Sequence, residues 1–243
     1  MNVPIWAAEL AAEFWRRAGA VEPFPRSLRV AIPAALELAV FPVANLTVHQ
    51  IRARLERCNI ECRGLGGDRR LRAALVARGG HGFAFLDACD PADEQRFSLA
   101  HELAHFLRDY WRPREQVRQR LGETALDVFD GIRPASHAER VQSLLGFAPI
   151  AFHVLLFERD ADGAISDDGI LSAENDADRL AYELLAPATE VSAAVGNARS
   201  SDAIEHVLVE KFGLPGLQAR RYSALLLPTQ RAEPWLRILG ILK

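Results

Sequence analysis

The segment RFSLAHELAHFL, residues 96–107, constrains this chain more than any other. It is apolar around much of a helical circumference, which places it inside a domain, yet it carries His101, Glu102 and His105. Burying two imidazoles and a carboxylate is costly without partners, so the fold has to bring something to them. The spacing indicates what that is. Four residues advance a helix by about 400°, so His101 and His105 emerge on one face, one turn apart, and can share a Zn²⁺ ion. Glu102 is awkwardly placed to ligate but can reach the metal's water as a general base. Zinc-dependent hydrolysis is the chemistry this geometry serves. An HExxH pentapeptide also arises by chance, so its surroundings have to support it.

The surroundings do. LRAALVAR and FAFLD are short apolar runs separated by Gly79-Gly80-His81-Gly82, which predicts a β-hairpin immediately upstream. Asp90 as N-cap and Pro91 at the first helical position, followed by Asp93 and Glu94, predict a helix start and a helix running to about Tyr110. The first sixty residues read as a helical preface. An amphipathic helix opens it, Glu9 and Glu13 interrupting the apolar stretch too early for a targeting address. Pro23 and Pro25 break the chain, and helical spacing resumes in SLRVAIPAALELA and LTVHQIRARLERC. Downstream, the pattern predicts a charged helix from Arg114 to Leu126, another from His137 to Leu145, and a strand in AFHVLLFER. Helices follow in ENDADRLAYELLA, ended by Pro187, in DAIEHVLVEKF, closed by Gly213, and in PGLQARRYSALLL, closed by Pro228.

A catalytic zinc takes a third protein ligand and leaves a position for water. Glu174 is the best candidate, because it opens the next strongly apolar helix. Asp178, four residues on and on the same face, can accept the N–H of a ligating histidine. Glu183 lies on the opposite side, and Asp176 points away. The alternative for Glu174 is a partner for the helix dipole behind a cap at Ser172.

FSLAHELAHFL followed by ENDADRLAYELLAP resembles the ImmA/IrrE metallopeptidases, in which an AHELxH helix precedes a helix of the form ExxANxFAxxLLxP. Asp178 stands where that family often has asparagine, and Leu180 where it often has phenylalanine. The resemblance implies His101, His105 and Glu174 as zinc ligands and Glu102 as the catalytic residue. It covers residues 65 to 190, with an insertion about 111–172, between a helical region at 1–64 and a C-terminal segment at 191–243. Part of that segment, LVEKFGLPGLQARRYSALLL, loosely resembles a helix-turn-helix. The expected fold is α+β: a zincin-like, gluzincin-type core of a small twisted sheet, an active-site helix and a glutamate helix, with helical N- and C-terminal additions. An extended substrate is expected to pair with an edge strand near Phe83 to Asp87. The family's substrates imply a protein partner here, a helix-turn-helix repressor whose cleavage switches on stress or mobile-element genes. A regulatory protein-binding module acting without proteolysis is the competing class, and the intact Glu102 favours the enzyme.

Other residues carry weaker signals. His153, Tyr110 and Tyr182 are candidates to line a cleft, although each reads more readily as packed core. Cys58, Cys62 and Cys89 lack the spacing of a zinc ribbon, which points to a reducing cytoplasm; Cys58 and Cys62, one turn apart, could chelate or crosslink but read more readily as packing residues. A net charge of −3 disfavours direct nucleic-acid binding, although Arg220 and Arg221 keep a DNA-binding tail open. No run approaches the ~20 apolar residues of a membrane span.

Overall fold

The computed structural model describes residues 3–19, 23–58, 60, 67–137, 153–158, 168–196 and 200–227. A four-stranded sheet organises them, with strands β1 (Leu38–Val43), β2 (Leu71–Arg78), β3 (His81–Asp87) and β4 (His153–Glu158) in the order β1-β3-β2-β4. β1 runs parallel to β3, and the other two pairings are antiparallel. β2 and β3 form the predicted hairpin. Arg78 pairs with His81 across Gly79 and Gly80, whose φ values of 60° and 87° are those of a type I′ turn that glycine adopts without strain. β2 is buried almost throughout because both faces of the sheet are covered, which is why its apolar run does not alternate.

On one face lies helix α3 (Val48–Arg57), capped at Thr47 by the reciprocal bonds it exchanges with Gln50. Its Val48, Ile51 and Leu55 pack against Val76 and Phe85. On the other face lies α4 (Ala92–His105), the HExxH helix, and it joins the larger core. α1 (Ile5–Ala18) and α2 (Leu28–Ala35) share that core, as do α7 (Asp168–Leu185) and α10 (Gly216–Leu226). Trp15 of α1 fastens α7 by donating to the Leu184 carbonyl at 3.0 Å. Gly82 of β3 permits the close approach of α4's continuation: a Cβ there would lie 2.5 Å from Leu38 and 2.7 Å from the Phe106 ring.

Several expectations are corrected. SLRVAIPAALELA is not one helix; α2 ends at Ala35, and the chain enters β1 at Leu38. β3 is therefore a central strand, hydrogen-bonded on both sides, and cannot be the edge near Phe83 to Asp87 that receives a substrate. Among the described residues the edges are β1 and β4. Pro42 sits in β1 without loss: Val43 accepts from Ala88 of the β3 side, so by ladder alternation Pro42 turns its missing N–H outward. α4 begins at Ala92 with Pro91 at the cap position, one residue later than expected, and Gln95 binds the Asp90 carbonyl.

Past His105 the helix changes pitch into a π-helical turn (Phe106–Trp111) and then continues as α5 (Arg112–Leu121). The charged helix predicted to reach Leu126 breaks at Gly122, with α6 (Glu123–Phe129) beyond it. α7 starts at Asp168, so Ser172 is not its cap and Glu174 sits in its second turn, which removes the dipole alternative. α8 (Ala188–Val195) and α9 (Ser201–Glu210) precede α10. The helix expected to end at Leu145 falls outside the described residues beyond His137, and Cys62 lies outside them too. No described helix is long and apolar enough to cross a membrane.

Candidate metal centre

α4 and α7 pack side by side, with Phe97 against the Tyr182 ring, and this contact brings the predicted residues together. His101 Nε2 lies 3.1 Å from Glu174 Oε2 and 3.2 Å from His105 Nε2, and His105 Nε2 lies 3.4 Å from Glu174 Oε1. Both imidazoles are 1% exposed, whereas the Glu174 side chain is part-exposed and gives the site its open side.

The partners on the far side of each ring fix which nitrogen carries the proton. His101 Nδ1 faces Asp178 Oδ1 at 2.9 Å, and His105 Nδ1 faces Asp109 Oδ2 at 2.8 Å. Carboxylates only accept, so both Nδ1 atoms donate, and in the neutral rings both Nε2 lone pairs point at one another and at a carboxylate oxygen. Three lone pairs converging within 3.4 Å repel unless protons or a metal cation lie between them. Donors about 2.05 Å from a tetrahedral centre are about 3.3 Å apart, so the observed separations have the size of a zinc tetrahedron's edges, and two imidazoles with one carboxylate are a zinc donor set. These are the three residues that could hold the metal.

Residues 65–125 match the peptidase family model described as the IrrE N-terminal-like domain. That segment is similar to the ImmA/IrrE peptidase domain. No curated protein matches the chain. The matched segment holds the hairpin, α4 and α5, so Glu174 joins the site through the packing of α7 and not through the matched segment itself.

The electrostatics of the site follow from burial opposed by charge. Burial disfavours the His101 cation, but the hydrogen-bonded carboxylates of Asp178 and Glu174 outweigh it and raise the imidazole to about 10. His105 is raised in the same way, burial being overcome by Asp109 and Glu174. Burial would raise Glu174, yet the two imidazoles hold it well below the usual carboxylate range. Glu102 behaves differently. It is 1% exposed, and among the described residues neither of its oxygens has a hydrogen-bond partner. Desolvation raises it to about 7, against the opposing pull of both imidazoles.

The remaining predicted residues go elsewhere. Tyr110 is buried, with its hydroxyl accepting from Gly80 N at 2.6 Å and donating to Asp130 at 3.1 Å, so it braces the hairpin turn. Tyr182 donates to Gln218 at 2.8 Å and stacks on Tyr222, in the core between α7 and α10. Glu183, on the side of α7 opposite Glu174, accepts from Ala188 N and the Tyr222 hydroxyl. Cys58 and Cys89 are exposed free thiols. The side chain of His153 lies outside the described residues. Two residues escaped the sequence reading altogether: Asp109, behind His105, and Arg108 beside it. The available signal was the four-residue step from His105 to Asp109, the same step that marks Glu174 and Asp178.

Proposed function

We propose that this chain is a zinc-dependent endopeptidase that hydrolyses peptide bonds in a protein substrate, a transcriptional repressor, in a zincin-like core. His101, His105 and Glu174 would hold the ion. Zinc, when bound, supplies a Lewis acid that polarises a carbonyl and acidifies water. The observation that carries the reading is Glu102, a carboxylate buried one position from His101 without a hydrogen-bond partner among the described residues. A purely structural metal site has no use for such a group, and its burial is costly. Buried one position from His101, Glu102 is placed to take a proton from the attacking water and return it to the leaving amine. Asp178 and Asp109 keep both imidazoles in the tautomer that leaves Nε2 free to ligate. With β3 enclosed between its neighbours, an extended substrate has β1 or β4 to pair with.

The test is Glu102→Gln. It should retain zinc, measured by metal analysis of the purified protein, while cleavage falls by roughly 10²- to 10⁴-fold. Cleavage is read by mass spectrometry of a peptide library, and of the transcriptional regulator encoded next to the gene after co-expression. A variant that derepresses the regulator's promoter as well as wild type, with the regulator uncut, would replace the enzyme by a binding module.

A further inference from the structure

The π-helical turn that follows His105 places two charged side chains against the site, and they engage both ligand-bearing helices at once. Asp109 reaches His105 with Oδ2 at 2.8 Å and receives Arg108 Nε on Oδ1 at 2.6 Å. Arg108 Nη1 donates to the carbonyl oxygen of Ala173 at 2.9 Å and lies 3.5 Å from Asp176 Oδ2. Ala173 is the residue immediately before Glu174, and Asp176 the second after it. The guanidinium, 19% exposed, therefore spans from the partner of one ligand to the backbone beside another.

We infer that Arg108 is a positioning residue that sets the spacing of the metal ligands, acting on His105 through Asp109 and on Glu174 through the Ala173 carbonyl. The inference rests on the metal site proposed above. Three features of the chemistry support it. A carbonyl within a helix already accepts one bond along its own helix and keeps a second lone pair, so Arg108 binds Ala173 without unwinding α7. The guanidinium is a rigid fork whose donors face two acceptors at once, which a single ammonium on a flexible stem does not reproduce. A π-helical turn is rare and is retained mostly where function uses its altered side-chain directions. Here it sends Arg108 and Asp109 to the metal site while Tyr110 braces the hairpin.

The experiment measures zinc affinity of the full chain by competition with a chromophoric chelator, alongside urea unfolding of the chelator-treated protein. Arg108→Ala and Asp109→Asn should each weaken zinc binding roughly 10- to 100-fold, as losses behind a metal ligand do. Arg108→Lys should recover little of it. In a Glu174→Ala background, Arg108→Ala should cost much less than in wild type, because one of its two targets is gone. Should Arg108→Ala fail to fold, Arg108→Lys carries the same expectation with charge retained. Arg108 variants that lower the urea midpoint but keep zinc affinity within twofold of wild type would make the contact a structural tie and overturn the inference alone. A wild-type chain that binds no zinc would overturn the metal reading and the inference with it.

Discussion

Replacing Glu102 with methionine should stabilise the metal-free protein, by an amount that depends on pH in a defined direction. The wild-type carboxyl is 1% exposed, and desolvation raises it from 4.5 to about 7. An acid whose folded pKa is raised binds its proton more tightly in the folded state, so wild-type stability falls as pH climbs from the unfolded value through the folded one. At about 1.4 kcal/mol per pH unit the full loss is about 3 kcal/mol above pH 7. Near pH 5 only about 1 kcal/mol of it has developed. Methionine, similar in length and without charge, is exempt, so its advantage over wild type should grow from about 1 kcal/mol at pH 5 to about 3 kcal/mol at pH 8. Glutamine should gain less, because a buried amide still leaves polar atoms unpaired at about 1–3 kcal/mol. Urea unfolding in excess chelator across this range measures the difference. Parallel stability curves for wild type and Glu102→Met would show that Glu102 is not held in the folded state as a desolvated carboxyl, and the argument for its role would lose its footing.

The ligand set makes its own predictions. His101→Ala and His105→Ala should abolish stoichiometric zinc, Glu174→Ala should remove most affinity, and Asp178→Ala should cost roughly 10- to 100-fold; metal analysis and chelator competition read all four. Because carboxylate partners outweigh burial at both imidazoles, raising His101 to about 10 and His105 in the same direction, protons must leave the site for zinc to bind. Zinc titrations by calorimetry at about pH 6.5 in buffers of different ionisation enthalpy should therefore show proton release, and a slope of zero would refute this charge state.

What the sequence made legible is what local pattern controls. The Gly79-Gly80 turn, the helical face shared by His101 and His105, and the four-residue step from Glu174 to Asp178 each need only their own segment to be read. β1 was hidden because Leu36 to Val43 continues an apolar helical pattern, and its extended state comes from a parallel partner forty-odd residues away. That missing strand also explains why β3 looked like an edge. Asp109 stood in the four-residue step behind His105 and needed only that step to be read, whereas Arg108 was hidden because its partner, the Ala173 carbonyl, lies on a helix 65 residues away.

The charges of the site explain why these supports are needed at all. Glu102, Glu174, Asp178 and Asp109 surround two imidazoles, with Arg108 as the nearby guanidinium. With neutral rings, four carboxylates and one guanidinium leave the cluster strongly negative in a largely buried setting, so it attracts either two protons onto the imidazoles or one dication among the three Nε2 and carboxylate donors. The proton-bearing form satisfies Glu174, Asp178 and Asp109 but leaves Glu102 with no partner. A dication would instead be held by His101, His105 and Glu174 with both imidazoles neutral, and Glu102 would again be left without a hydrogen-bond partner among the described residues. Metal and proton thus compete for the same places. Glu102 differs from its neighbours in having no hydrogen-bond partner among the described residues in either form, which is the property that the general base of the proposed hydrolysis requires.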